Sequence, residues 1–374
     1  MKIVCVSNGP LPYHTPILNE LAKLADLHVI YMSSGHPMGS FQDVWGVEPE
    51  FSHSTYWSLS LGSHASDFRA QFSLGVSLRL RKLNPDVIFF SSWGPLVLEP
   101  LLWKCLAQRK AVMWAESTSF SGLFRSRVAN LIRRRILSHA DAFVTNGTQA
   151  TAYLKTLGVG DERIVSSCLP SRGSTGLAER PEPRVRTQAA SDAPRYLFVG
   201  RLIRRKRPLE LLTSFASVIE QRPSARLTIV GDGPLRPEVA RAAEPFGTSV
   251  SLPGRVEGEA LHEAYAAADV LVLPAVREVW GLVVNEALAH GLYVVATDQV
   301  GSAYDLLDET SGVIVPADDQ PTLTDAMLAA GRNGVRDPAA RDARIRRMAG
   351  RTPAAFARDI HRAANLALGA ADER

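Results

Sequence analysis

Short runs of β-branched and aromatic residues alternate with longer helical patterns along the whole chain, and no other feature restricts the fold as strongly. In the first half the runs are KIVCVS (2–7), LHVIYM (27–32), DVIFF (86–90), AVMWA (111–115) and AFVTN (142–146). In the second they are YLFVG (196–200), RLTIVG (226–231), VSLPG (250–254), DVLVLP (269–274), YVVAT (293–297) and GVIVP (312–316). Strands that are apolar almost throughout are buried on both faces, so the expected class is α/β, with parallel sheets covered by helices.

At 374 residues the chain exceeds what one core comfortably holds. The stretch SRGSTGLAERPEPRVRTQAASDAP (171–194) is rich in Pro, Ser, Gly and charge, has no periodicity, and reads as a linker. The predicted organisation is a first domain over 1–172, a linker over 173–194, a second domain over 195–350 and a helix with a tail over 351–374. That last helix, PAAFARDIHRAANLALG (353–369), sets Phe356, Ile360, Ala364 and Leu368 on one stripe. The stripe needs a surface, and the first domain across the linker is the expected one.

A composition of 46% hydrophobic and 21% charged residues fits a soluble globular protein. The net charge of +4 is spread over both halves, which gives no footprint for nucleic acid. Cys5, Cys105 and Cys168 are far apart and form no metal-ligand spacing, so a reduced, cytoplasmic chain without structural metal is expected. The N-terminal apolar run is too short for a signal peptide. The most apolar window, 86–107, contains Asp86, Glu99, Lys104 and two prolines and is not a membrane span.

Ligands of open parallel sheets bind beyond the carboxyl ends of the strands, so the strand exits carry the functional reading. VGRLIRRKRP (199–208) places Gly200 at a turn and Arg201, Arg204, Arg205, Lys206 and Arg207 before a helix. Such a cluster suits a diphosphate, or is a solvated basic turn. VGDGP (230–234) brings Gly231 and Gly233 without the third glycine of a dinucleotide fingerprint. LPGRV (252–256) adds Arg255 and Val256. REVWGLVVNEALAHG (277–291) sets Glu278 in a loop and Glu286 in the second turn of a helix from about Gly281. Carboxylates accept hydrogen bonds from vicinal hydroxyls, so one acid can hold a hexose and the other a ribose, unless both are solvated.

Taken in order, these four loops resemble the retaining, nucleotide-sugar-dependent glycosyltransferases of family 4, which have the GT-B fold of two facing Rossmann-like domains. The resemblance covers roughly residues 195–316. It implies that Arg201 and Lys206 neutralise the donor diphosphate and stabilise the leaving group. Glu286 would bind the ribose hydroxyls and Glu278 the donor sugar near the reacting carbon. Gly200, Gly231, Gly233, Arg255 and Val256 would line the nucleotide, with Arg255 and Val256 near the base. Gly301 and Ser302, in place of a more usual glycine pair, would offer backbone N–H groups beneath the donor sugar. No metal and no cofactor are implied, since the basic pair does a cation's work.

The first domain is expected to take the acceptor. Its opening loop, SNGPLPYHTPILNEL (7–21), lacks the double glycine common in that family, leaving Gly9 to approach the phosphates. Tyr13 and His14 are acceptor-contact candidates, with a merely solvated His14 as the alternative. FFSSWGPL (89–96) and MWAESTSF (113–120) lack the histidine the family often has there; Glu116 stands in its place as the group that orients an acceptor hydroxyl, or as a cap. In GLFRSRVANLIRRRILSHA (122–140), Phe124, Val128, Leu131 and Ile132 form an apolar stripe beside Arg125, Arg127, Arg133, Arg134 and Arg135. Such a helix either packs on its own sheet with a solvated basic face or lies on the inner face of a membrane.

The expected activity is transfer of a hexose from a UDP- or GDP-sugar to a hydroxyl acceptor (a saccharide, a lipid-linked saccharide or a small natural product), without metal and with retention by a front-face route. The alternatives are a GT-B nucleotide-sugar epimerase and a non-catalytic sugar-nucleotide-binding scaffold.

Overall fold

The structure is a computed structural model and describes residues 1–9, 13–33, 47–61, 70–73, 75–91, 95–121, 127–170, 194–330 and 335–370. The expected linker therefore lies almost wholly outside the described residues, as does the start of the 122–140 segment. Two compact units are present: Met1–Leu169 with the segment beginning at Thr352, and Pro170–Arg351.

The first unit holds β1 (Lys2–Ser7), β2 (Asp26–Ser33), β3 (Ser52–Leu61), β4 (Ala70–Ser73), β5 (Val87–Phe90), β6 (Lys110–Ala115), β7 (Ala142–Asn146) and β8 (Ile164–Ser167). They form one sheet in the order β4-β3-β2-β1-β5-β6-β7-β8. Its strands are parallel except that β4 runs antiparallel to β3. An all-parallel sheet was expected, and β3, β4 and β8 were not anticipated. β3 reads SHSTYWSLSL, a serine-rich strand near the sheet's edge, and β8 is only IVSS, so neither shows the apolar run of a strand covered on both faces. The helices are α1 (His14–Ala22), α2 (Val76–Leu83), α3 (Leu98–Leu106), α4 (Arg127–Leu137) and α5 (Gly147–Thr156). Val4, Val6, Ile88, Phe90, Met113 and Phe143 anchor the core between them.

In α4 the apolar stripe does not face the sheet as a whole. Leu131 and Ile132 are 69% and 55% exposed, whereas Leu137 is buried and Ile136 packs against the core. The helix docks through its last turn, and Leu131 and Ile132 point to solvent beside the exposed Arg134 and Arg135.

The second unit's strands are β9 (Arg195–Val199), β10 (Arg226–Val230), β11 (Val250–Gly254), β12 (Val270–Leu273), β13 (Tyr293–Thr297) and β14 (Gly312–Val315). All are parallel, in the order β11-β10-β9-β12-β13-β14. Read from β9 as the first, this is the 3-2-1-4-5-6 order of a doubly wound sheet, whose direction of winding reverses between β9 and β12. The helices are α6 (Pro208–Gln221), α7 (Arg236–Ala243), α8 (Gly258–Ala266), α9 (Leu282–Ala289), α10 (Ala303–Leu306), α11 (Gln320–Ala330) and α12 (Pro338–Arg347). α6 starts on Pro208 and buries Leu211, Leu212, Phe215 and Val218, the helical spacing that a one-sided apolar face requires.

The last helix, α13 (Pro353–Leu368), belongs to the first unit. Thr352 caps it by accepting from the Ala355 amide at 3.2 Å, Pro353 occupies the first position, and Gly369 ends it at φ +76°. Phe356, Ala357, Ile360, Ala363, Ala364 and Ala367 form its buried face, and the alanines let the helix lie close to the first unit's strands. The Phe356 ring lies 4.7 Å from that of Trp114, and Asp359 accepts from the Ser167 hydroxyl at 2.7 Å. Leu368, counted on the sequence stripe, is 41% exposed instead, because Ala367 takes the inward position.

Candidate active site

The residues that follow β9 and β12 meet at the point where the second sheet reverses its winding. Lys206 donates a hydrogen bond to the Glu278 carboxylate, and the two side chains are only 12% and 15% exposed. The loops that carry them are laced together: the Val276 amide bonds the Arg205 carbonyl at 2.9 Å, and the Arg205 guanidinium bonds the Arg277 carbonyl at 3.2 Å. Arg207 turns to the Ala317 carbonyl and pairs with Glu210 at 3.2 Å. Of the basic cluster, Arg205, Lys206 and Arg207 thus have partners within the protein, while Arg201 and Arg204 lie exposed.

The Glu278 loop is also pinned from its other side. Its amide bonds the Gln299 carbonyl at 2.9 Å, the Gly301 amide returns to the Glu278 carbonyl at 3.0 Å, and the Ser302 amide bonds the Trp280 carbonyl at 2.9 Å. The N–H groups of Gly301 and Ser302, expected to face a donor sugar, are therefore already occupied. A Cβ on Gly301 would run into the Val279 carbonyl, so glycine is required there to let two loops touch. Gly231 and Gly233 have the same reason. A side chain at either would strike the backbone of Gly200 or Leu202, which makes these glycines the seat of the Arg201 loop. The Gly200 amide itself bonds the Val230 carbonyl at 3.0 Å.

α9 begins after Gly281, whose φ of +94° makes the sharp entry, and Glu286 sits in its second turn as expected. Tyr265 on α8 donates to Glu286 Oε2 at 2.6 Å. Burial and the adjoining carboxylate push the Tyr265 phenol far above its ordinary range, so it stays a donor at any working pH. His290 ends α9 with its Nδ1 2.7 Å from the Glu286 carbonyl and its Nε2 2.7 Å from His262 Nδ1. Its ring stacks on Tyr265, centroids 5.0 Å apart and planes 20° from parallel. Tyr265, His262 and His290 escaped the sequence reading; the signal was their helical spacing, Tyr265 three residues after His262 and His290 four after Glu286. Near the expected base loop, Arg255 is exposed and pairs with Glu257 at 2.9 Å, and Val256 is half-buried.

In the first unit, the exits of β6 and β7 and the start of α1 converge on Glu116. Its Oε1 accepts from Asn146 Nδ2 at 3.3 Å and lies 3.5 Å from the Tyr13 hydroxyl. Trp114 Nε1 donates to Asn146 Oδ1 at 2.7 Å, which fixes the amide so that its NH₂ faces the carboxyl. Burial pushes the Glu116 carboxyl up to about 7, against the opposing pull of the Asn146 and Tyr13 bonds. His14 is neither solvated nor in a loop. It is the first residue of α1 and 1% exposed, with its ring 4.5 Å from Trp114 and neither nitrogen bonded among the described residues. Burial pushes it down to about 3, so it is neutral. Gly9 lies at the β1 exit beside open space, its carbonyl accepting from the Ser7 hydroxyl at 3.0 Å.

Among the described residues, no three His, Cys, Asp or Glu side chains gather as a metal site. No described helix is long and apolar enough to cross a membrane.

Two Rossmann-like units, each built on a parallel or mainly parallel sheet covered by helices, make this the GT-B fold found in glycosyltransferases. The galactosyltransferase WaaB of the lipopolysaccharide outer core superposes with a TM-score of 0.70 over 97% of this chain and 99% of that one, at 14% identity. Anabaena HepE, solved with UDP and glucose, does so with 0.64 over 98% and 95%, at 16% identity. Residues 193–333 match the family described as Glycosyl transferases group 1. A sulfoquinovosyl transferase of Arabidopsis thaliana is 36% identical over 129 residues, 34% of this chain and 24% of its own length. A GDP-mannose-dependent phosphatidylinositol monomannoside mannosyltransferase of Mycolicibacterium smegmatis is 27% identical over 67% of this chain and 70% of its own. The chain spans between 24% and 33% of the length of the first curated relatives it matches.

Proposed function

We propose that the protein is a retaining glycosyltransferase that moves a hexose from a UDP- or GDP-sugar to a hydroxyl acceptor without a metal ion. The observation that carries this reading is the Lys206–Glu278 pair at the reversal point of the second sheet, with Glu286 on the helix that follows. In the reaction, the Lys206 ammonium and the exposed Arg201 guanidinium take the charge that grows on the leaving diphosphate. Such groups lower the barrier most when they are in place before the charge develops. Glu278, released from Lys206, accepts from hydroxyls of the donor hexose, and Glu286 accepts from the ribose. The first unit takes the acceptor, with Glu116 bonding its hydroxyl and Tyr13 beside it. The leaving phosphate oxygen receives the acceptor's proton on the same face, which conserves the anomeric configuration.

The test is incubation with UDP- and GDP-hexoses and hydroxyl acceptors in the presence of EDTA, with products read by mass spectrometry and the anomeric proton by NMR. A glycoside of unchanged configuration is expected. Absolute dependence on added magnesium, or an inverted product, would overturn the mechanism; tight donor binding with no transfer would replace it with a binding scaffold.

We propose further that the enzyme meets a lipid-linked acceptor at an anionic membrane surface through α4. Leu131 and Ile132 stand out of the fold beside Arg134 and Arg135, the pairing of apolar and basic side chains that interfacial helices use. Co-sedimentation with phosphatidylglycerol vesicles should fall sharply for Leu131→Ser/Ile132→Ser; equal binding of both proteins would overturn it.

A further inference from the structure

We infer that Tyr265 is a positioning residue for the donor site: it fixes the orientation of the Glu286 carboxylate and so sets how well a nucleotide's ribose is held. This rests on the reading of Glu286 as the ribose acceptor.

In the second turn of a helix a recognition carboxylate is free to reorient, because a Glu side chain has three rotatable bonds whose ordering costs conformational entropy. Here that freedom is removed in advance. The Tyr265 hydroxyl lies 2.6 Å from Oε2, a short, charge-assisted bond. Tyr265 is 1% exposed, so its own ring cannot swing away. Its partner across the ring is His290, stacked at 5.0 Å, and His290 is in turn bonded to the main-chain carbonyl of Glu286 and to His262. His262 and Tyr265 lie three apart on α8 and therefore share a face, while Glu286 and His290 lie four apart at the end of α9 and share the facing one. Both ends of Glu286 are thus held: the Tyr265 phenol on α8 holds the carboxylate, and the His290 imidazole at the end of α9, backed by His262 on α8, holds the carbonyl.

The bond occupies one carboxylate oxygen and fixes the carboxylate before any ligand arrives. Preorganisation of this kind appears as affinity, because the ligand no longer supplies the ordering. Removing the phenol oxygen alone leaves the ring, the stack and the His262–His290 bond in place.

The experiment is calorimetry of UDP, GDP and ADP, which share the ribose, and of 2′-deoxy-UDP, on the whole chain and on Tyr265→Phe, Glu286→Ala and the double variant. Tyr265→Phe should weaken the ribonucleotide that binds by about five- to tenfold and narrow the preference for UDP over 2′-deoxy-UDP by a similar factor. The double variant should bind like Glu286→Ala alone, since without the carboxylate there is nothing left to orient. A merely structural tyrosine would cost the same affinity in both backgrounds and leave the ribose preference unchanged; either result overturns the inference. If Glu286→Ala weakens binding and Tyr265→Phe does not, the inference fails and the ribose assignment stands. If Glu286→Ala binds unchanged, or none of the nucleotides binds the unaltered chain, the donor-site reading fails and takes the inference with it.

Discussion

Lys206 and Glu278, 72 positions apart in sequence, form a nearly buried ion pair between the loops that leave β9 and β12. In the proposed reaction a diphosphate would take the lysine and a hexose the carboxylate, so a donor would have to separate the two. The two charges balance each other, which a lone buried charge would not do.

Replacing the acid of that pair should therefore shift binding and turnover in opposite directions. With Glu278→Gln, Lys206 is released to phosphate, and UDP or GDP should bind several-fold more tightly while sugar transfer falls by two orders of magnitude or so. Calorimetry and initial rates on the same preparation decide it; a parallel loss of both would mean that the pair is only structural.

Glu286→Ala should weaken donor binding by roughly 1–3 kcal/mol through lost ribose bonds. The loss should be equal for the nucleoside diphosphate and its sugar, because the ribose is common to both. Donor affinity that is unchanged for both ligands contradicts the assignment.

Glu116 predicts a pH dependence of stability. Its folded value of about 7 lies above the ordinary carboxylate range, so the folded state holds the proton more tightly than the unfolded chain. Its contribution is complete below about pH 4.5 and is lost as pH rises through 7, by roughly 3 kcal/mol in total. Glu116→Gln should thus be the more stable protein at pH 8 and no more stable than the unaltered one near pH 4.5. His14 acts in the opposite sense: held neutral to about pH 3, it favours folding above pH 6.5 and loses that effect as pH falls. Urea midpoints from pH 4 to 8 for Glu116→Gln and His14→Phe separate the two.

Arg344 predicts a stability effect remote from the chemistry. Its guanidinium, 2% exposed, bonds the carbonyls of Gly291 at 2.7 Å, Val335 at 3.0 Å and Thr310 at 3.0 Å, and lies over the Tyr293 ring. Arg344→Ala strips three carbonyls of their donor and opens a cavity, for about 2–4 kcal/mol. Because Gly291 follows α9, donor affinity should weaken alongside the urea midpoint.

The strands of both sheets were legible wherever they are buried on both faces, since burial writes a continuous apolar run. β3 and β4 were not, because a serine-rich strand near a sheet's edge carries no such signature. In the site, Glu278, Lys206 and Glu286 could be named from motif spacing, and the start of α9 followed from Gly281. What the spacing concealed was mutual occupation: that Lys206 lies on Glu278, that the amides of Gly301 and Ser302 serve the Glu278 loop, and that Gly231 and Gly233 make room for a neighbouring backbone. Those are facts of three-dimensional crowding between segments about 20 to 70 residues apart. Tyr265 and His290 were hidden for a related reason, since an aromatic residue and a histidine in helices ordinarily serve only packing.

The return of α13 to the first unit has a consequence for how the protein is made. Its buried face, from Phe356 to Ala367, covers strands that are synthesised roughly 190 to 280 residues earlier. The second unit, a continuous stretch of chain, has every strand it needs before α13 emerges and can fold while translation continues. The first unit cannot: the surface around Trp114 stays open to water until the helix arrives. The unit that starts first is the one that finishes last, and a ribosome that stops near residue 351 releases a completed second unit joined to an unsealed first one.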